Sequence, residues 1–204
     1  MKKFQQTREI INYAQKYISG KTLDLGAGSA KYREMIKPKT SQYIAFDMMP
    51  GKNIDVVGNV LDLPFPNETF DTVISTQVLE HVEKPWVMIK EIYRVLKPGG
   101  ICVLTTPFLT PYHPDPADFF RYTLQGLKSL FQNERFQILE CDYYGQAFTL
   151  FSEMIRFVFF NRYKKKNGVW AERFLRYMAK MAKFLDKFVK TDIIYVDNYL
   201  IAKK

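Results

Sequence analysis

A chain of 204 residues with 47% hydrophobic and 25% charged residues has the composition of an ordinary globular protein, which excludes a disordered or fibrous chain and one needing disulfides or a structural metal to fold. The net charge of +9 is uneven: residues 1–150 are nearly neutral at +1 and residues 151–204 carry +8. Cys102 and Cys141, far apart in apolar segments, read as small buried hydrophobes of a reducing compartment.

The first residues hold no apolar leader, and the most apolar stretch, 147–160, is interrupted by Glu153 and Arg156. The expectation is a soluble, cytoplasmic protein. A helical pattern opens with Ile10, Ile11, Tyr13, Ala14 and Tyr17 and stops at Gly20. A strand follows at Thr22–Leu25, a second at Tyr43–Phe46, a third around Ile54–Val57 and a fourth at Thr72–Ile74 into Ser75. A helix is predicted from Pro85 to Leu96, ended by Lys97-Pro98-Gly99-Gly100, because proline suits a first turn and glycine a stop. Then come a strand at Ile101–Thr105, a helix at Leu124–Phe131, a strand at Phe136–Cys141 and a last strand at Ile193–Ile201. Strands alternating with helices predict one α/β domain over 1–204, a doubly wound, seven-stranded, mostly parallel sheet with helices on both faces and an antiparallel last strand.

Ligands of such sheets bind beyond the carboxyl ends of the strands. The first such end reads Asp24-Leu25-Gly26-Ala27-Gly28-Ser29-Ala30-Lys31, and Asp47 ends the second strand. A dinucleotide fingerprint would place a third glycine at position 31, where Lys31 stands, so an NAD-dependent oxidoreductase is a remoter reading. A carboxylate at position 47 can accept ribose hydroxyls.

These residues resemble the class I, Rossmann-like S-adenosylmethionine-dependent methyltransferases, of the methyltransferase type 11-like family. Asp24-Leu25-Gly26-Ala27-Gly28 matches its first motif, with Ala30 where a further glycine is common. Asp62-Leu63-Pro64-Phe65, Phe70-Asp71-Thr72-Val73-Ile74, Val78-Leu79-Glu80-His81-Val82 and Arg94-Val95-Leu96-Lys97-Pro98-Gly99-Gly100 match later motifs. The resemblance spans about residues 20–140. It implies S-adenosylmethionine as cofactor, with Asp24, Gly26, Ala27, Gly28, Met48 and Gln77 around it. Asp47 would hold the ribose, and Asp62 with the backbone of Leu63 the adenine.

Two histidines are present. Glu80-His81 follows the fourth strand. Some quinone-pathway relatives use Glu-x-x-Glu-His there for a divalent cation, but Gln77 fills the first position, so no metal is expected. The proline-rich segment 106–123 carries His113, Asp118 and Arg121. His113 could take a proton from a substrate hydroxyl, Asp118 orient it and Arg121 bind an anion, with His81 as a further catalytic candidate. The structural alternative pairs Asp118 with Arg121, lets His113 close a turn and makes Thr123 a helix cap. The sequence favours a hydroxyl or carboxyl of a small-molecule or carbohydrate-like acceptor. No aromatic-flanked Pro-Pro motif stands at 75–78, which argues against nucleic acid; RNA and membrane-held lipid or quinone acceptors are the alternatives, and a non-catalytic binding module a remoter one.

Segment 146–191 is an insertion before the last strand. Trp170, Phe174, Tyr177, Met178, Met181, Phe184, Leu185 and Phe188 recur at helical spacing among Arg173, Arg176, Lys180, Lys183, Lys187 and Lys190, after Lys164-Lys165-Lys166. The expectation is that this stripe packs over the mouth of the site against Tyr112, Phe119 and Phe120. Peripheral membrane contact, homodimer formation and RNA binding are the competing readings.

Overall fold

The computed structural model describes residues 4–114, 116–160, 169–189, 191 and 193–204. Period-two alternation divides each central strand between two cores. In β1 (Lys21–Leu25), β4 (Phe70–Thr76), β5 (Leu96–Pro107) and β7 (Asp197–Lys203), the residues Leu23, Leu25, Val73, Cys102, Leu104, Leu200 and Ala202 face one side. Ile74, Val103, Tyr199 and Ile201 face the other. With β2 (Gln42–Asp47), β3 (Val56–Val57) and β6 (Gln137–Tyr144) they form one sheet in the order β3-β2-β1-β4-β5-β7-β6. The first five strands pair in parallel, and β7 runs antiparallel to both β5 and β6. This is the expected Rossmann-like architecture.

Helices cover both faces. On the first, α3 (Pro85–Val95) contributes Met88, Ile89, Ile92 and Val95, and α4 (Leu124–Asn133) contributes Leu127 and Phe131. On the second, α1 (Thr7–Ala14) contributes Ile10, Ile11 and Ala14, and the one-turn α2 (Arg33–Ile36) adds Ile36. The proline start of α3 and the Thr123 cap of α4, which accepts the Gly126 N–H at 3.1 Å, satisfy helix ends as the sequence implies.

Several elements differ from the expected ones. β5 begins at Leu96, so Lys97-Pro98-Gly99-Gly100 lies within the strand, where the pairing with β4 shifts register between Phe70 and Thr72. β3 is two residues long because the Asp55 carboxylate replaces a backbone partner, accepting the Ala45 N–H at 2.8 Å. The last strand starts at Asp197, since Ile193 is 78% exposed and the chain bends there. α2 carries no long apolar period and escapes a pattern-based reading.

Between β6 and β7 stand α5 (Ala147–Phe160) and α6 (Val169–Leu185), within the expected insertion. Asp186, just past α6, caps α5 across space: its buried carboxylate accepts the N–H groups of Phe148 (2.9 Å) and Thr149 (3.0 Å) and the Thr149 hydroxyl. The expected burial of the aromatic stripe against the long loop is corrected by the structure. Tyr112 is 71% and Phe119 48% exposed, while Trp170 and Phe188 are 81% and 70% exposed. The amphipathic pair turns its smaller apolar residues, Leu150, Leu175 and Ala182, inward. Lys164–Lys166 and Lys190 lie outside the described residues.

One guanidinium fastens the loop after β3 to α3. Arg94 bonds the Glu91 carboxylate (2.8 and 2.7 Å), the carbonyls of Phe65 (2.7 Å) and Leu63 (2.9 Å) and Asn67 Oδ1 (3.0 Å). A lysine ammonium cannot reproduce that planar fork. Arg94→Lys is expected to lower stability by about 2–3 kcal/mol, read as a lower urea midpoint at unchanged m-value.

Candidate functional site

The carboxyl ends of β1, β2, β4 and β5 and the beginning of antiparallel β7 meet at one edge of the sheet. At β1 the chain turns through Gly26 (φ +74°) and Gly28 (φ +57°). The N–H groups of Gly26 and Ala27 both donate to the Phe46 carbonyl, at 2.9 and 3.0 Å. A Cβ on Gly26 would lie 2.3 Å from Val78 Cγ2, whereas one on Gly28 would meet open space. Gly26 is thus required by packing as well as by its left-handed backbone, and Gly28 borders room for a ligand. Ala30 adopts φ +54°, the region a glycine would occupy without strain.

Asp47 sits at the tip of β2 with its carboxylate pinned by two amides, Gly28 N–H at 2.8 Å and Met49 N–H at 3.0 Å. Each oxygen keeps lone-pair capacity for a further donor, and exposed Met48 flanks it. Asp24 lies beneath the loop instead. It is 2% exposed, accepts the Tyr43 hydroxyl, and burial raises its pKa to about 6.

The third expected cluster divides. Asp62 is exposed, and its N–H closes a turn onto the Asn59 carbonyl at 3.1 Å. Leu63 is buried, and its N–H is already committed to Glu91 Oε2 at 2.8 Å; it is not free to meet a ligand, because α3 reaches across to take it. Exposed Asn59 was not singled out from the sequence. It follows Gly58, whose N–H bonds the Asp47 carbonyl at 3.0 Å, and its position directly after a strand is the signal that could have found it.

A cavity of about 830 Å³ opens at the same edge, walled by α1, by α2 with Lys31 and Tyr32 before it, by the segments after β4 and β5, and by α5 and α6. Gln77, His81 and His113 line it, together with Arg8, Lys31, Ser152, Lys183 and Asp197. The insertion therefore does wall the site, though not through its aromatic stripe. Gln77 is a non-glycine residue at φ +57°, a cost carried where surrounding contacts over-determine the backbone. Its N–H bonds the Thr105 carbonyl at 2.9 Å, and its amide reaches the Tyr144 hydroxyl at 3.1 Å, which also meets Thr7 Oγ1 at 2.8 Å.

The loop after β5 brings His113, Asp118 and Arg121 together. Asp118 accepts the His113 backbone N–H at 2.8 Å and pairs with Arg121, whose guanidinium holds the carboxyl down at about 2. Arg121 also donates to the carbonyls of Thr110 (2.9 Å) and Pro111 (3.1 Å). This pair fixes the loop that carries His113, which is the structural alternative of the sequence: Asp118 holds the His113 backbone, and Arg121 is engaged with Asp118 and the loop carbonyls. Asp115 lies outside the described residues.

His81 Nδ1 faces the Ala117 carbonyl, and His113 Nδ1 the Pro111 carbonyl at 2.8 Å. A carbonyl only accepts, which places a proton on Nδ1 of His81, whereas His113 Nδ1 has both its carbonyl acceptor and the Arg121 guanidinium, a donor, at 3.3 Å. Both Nε2 atoms then point at Glu80 Oε1, at 3.6 and 3.9 Å. The neighbouring Glu80 raises the pKa of His113. Asp197, also absent from the sequence reading, stands opposite Pro107 in the β5–β7 register, and burial pushes its carboxyl up to about 7. In the sequence it is a lone acid near a strand's start, which is not a distinctive signal.

Residues 23–104 match a family profile described as a methyltransferase domain. An uncharacterized methyltransferase of Mycobacterium leprae is 31% identical over 103 residues, 44% of this chain and 38% of that protein. A probable S-adenosylmethionine-dependent methyltransferase of Mycolicibacterium smegmatis is 37% identical over 57 residues, 28% of this chain and 22% of that protein. The matches thus cover well under half the length of these curated relatives. The crystal structure of a SAM-dependent methyltransferase from Archaeoglobus fulgidus superposes with a TM-score of 0.63 at 18% identity, covering 97% of this chain and 95% of that one. The shared fold spans nearly the whole chain, and residues 23–104 carry the methyltransferase-domain sequence that the motifs imply.

Asp197 has a folded-state pKa near 7 against an ordinary 3.8. Its ionisation therefore costs the fold stability as pH rises through 7, and costs nothing below the unfolded value. Asp197→Asn is expected to raise stability by about 1–3 kcal/mol near pH 8.5 and to give no gain near pH 4, measured as thermal midpoints across pH.

Proposed function

We propose that this chain is an S-adenosylmethionine-dependent methyltransferase acting on a hydroxyl or carboxyl of a small-molecule or carbohydrate-like acceptor. The observation that carries the cofactor is Asp47, pinned by the Gly28 N–H beside the open side of the glycine loop. The residues present fit the group: carboxylate lone pairs for ribose hydroxyls, polar Asp62 and Asn59 on the neighbouring loop for adenine, and no phosphate cradle. Gly26, Ala27 and Gly28 give the close backbone approach, and Gln77 borders the adjoining cavity. When bound, the cofactor supplies an electrophilic methyl group on a sulfonium.

The chain's own part is alignment, since holding reactants in line supplies much of the acceleration of a displacement. The cavity walls favour a polar acceptor: Arg8, Lys31, Ser152 and Lys183 offer donors suited to hydroxyl, carboxyl or anionic groups. The cavity-lining groups able to receive the acceptor's proton include His81, His113 and Asp197 beside Glu34 and Glu153, with Asp118 and Arg121 positioning the backbone that carries His113.

A second reading, an acceptor held at an anionic membrane surface, is supported by one observation. Exposed Trp170, Phe174, Tyr177, Phe184 and Phe188 lie among Arg173, Arg176, Lys180 and Lys187 beside the cavity-lining helices, a combination that binds such interfaces. No helix among the described residues is long and apolar enough to cross a membrane.

Titration calorimetry with S-adenosylhomocysteine should show one site, and Asp47→Ala should weaken it about 10–100-fold; absence of binding by the unaltered chain would sink the reading. Vesicles containing phosphatidylserine should pellet the unaltered chain but not the Phe174→Ser, Phe184→Ser double variant, at equal S-adenosylhomocysteine affinity. If the unaltered chain stays in the supernatant, the membrane reading fails.

A further inference from the structure

Glu80 is fully buried between the end of β4 and the loop after β5, and its Oε1 has no hydrogen-bond partner. Among the described residues its other oxygen has a long contact, 3.5 Å, from the Thr106 hydroxyl. A carboxylate so enclosed needs a cation or a good donor, because an uncompensated buried charge is strongly destabilising. What faces Oε1 is two imidazole Nε2 atoms, from His81 at 3.6 Å and His113 at 3.9 Å. The three donor atoms lie within 4.8 Å of one another.

His81 Nδ1 lies on the Ala117 carbonyl, and His113 Nδ1 lies between the Pro111 carbonyl at 2.8 Å and the Arg121 guanidinium at 3.3 Å. With the proton on Nδ1, each Nε2 lone pair faces the carboxylate. A proton bridging nitrogen and oxygen would draw them to about 2.7–2.9 Å. Ligands about 2.0–2.1 Å from a tetrahedral Zn²⁺ stand roughly 3.3 Å apart. The two nitrogen–oxygen spacings, 3.6 and 3.9 Å, lie nearer the second requirement, and closing onto an ion would draw together three donor atoms that stand within 4.8 Å of one another. Carbonyls holding the far ring nitrogens are also the usual outer support of metal-bound histidine.

We propose that Glu80, His81 and His113 bind a divalent first-row transition ion, through two imidazoles and one carboxylate. The sequence led us to expect no metal because Gln77 offers no charge; the structure brings in His113 from a different loop as the third ligand. Two histidines and a carboxylate select such ions over Mg²⁺ or Ca²⁺, which favour oxygen ligands. Both histidines line the cavity, so the ion's open positions would face an entering hydroxyl or carboxyl oxygen and could lower the pKa of a bound hydroxyl. The site itself does not rest on the proposed methyl transfer.

The test is metal binding by the full chain after chelator treatment, read by calorimetry with Zn²⁺ and by visible absorption with Co²⁺. One Zn²⁺ per chain is expected, with a Co²⁺ spectrum of low coordination number and at least tenfold weaker Mg²⁺ binding. His81 and His113 are the chain's only histidines, so His113→Ala should lower Zn²⁺ affinity at least 100-fold, and Glu80→Gln at least tenfold, with circular dichroism unchanged. Should Glu80→Gln fail to fold, His113→Ala on the half-buried loop still decides. No Zn²⁺ binding by the unaltered chain, or equal binding by folded His113→Ala, overturns the site. S-adenosylhomocysteine binding, measured without metal, reports separately on the cofactor reading.

Discussion

A sheet packed on both faces has no free strand surface, and that constraint decides where this protein can do chemistry. Leu23, Leu25, Val73, Cys102 and Leu104 are taken by one core, and Ile74, Val103 and Ile201 by the other. Side chains along the strands are therefore committed to packing, and functional groups collect where the strands end. Antiparallel β7 alters this in one respect. Its first residue, not its last, arrives at the functional edge, which is how Asp197 comes to stand beside Pro107 in a site otherwise built from strand ends.

At that edge the polar groups are held by backbone more than by one another. Asp47 is pinned by two amides, His81 and His113 by two carbonyls, and Arg121 reaches three backbone carbonyls as well as Asp118. Such contacts fix orientation before any ligand arrives, which is what positioning-based catalysis requires. The strained Gln77 belongs to the same design. Its left-handed backbone is held by the Thr105 carbonyl, and its amide by the buried Tyr144 hydroxyl.

Much of this was legible from residues alone, for identifiable reasons. Gly26, Gly28 and Asp47 were readable because a turn, a strand end and an acid at fixed spacing leave few alternatives, and Thr123 because a cap has a local sequence signature. Asp197 was not, since its importance lies in burial, and Glu80 was read only within a metal pattern lacking its first acid, because its burial and the approach of His113 from a distant loop leave no local signal. Leu63 misled for the opposite reason: its place in a familiar motif gave no hint that Glu91 would claim its amide. The aromatic stripe on α6 was visible as a period, but period alone does not say which of two faces meets the protein.

The capping of α5 by Asp186 has a consequence for how this wall of the cavity comes and goes. Three donors in the first turn of α5 depend on a carboxylate carried just beyond α6. The first turn of α5 is then satisfied only while the end of α6 is in place, and the exposed faces of the two helices add little burial. The pair should open and close as one cooperative unit, below the free energy of global unfolding, with its amide hydrogens exchanging together ahead of those in the sheet. Access to the cavity would then follow a local folding equilibrium rather than the swing of a rigid lid.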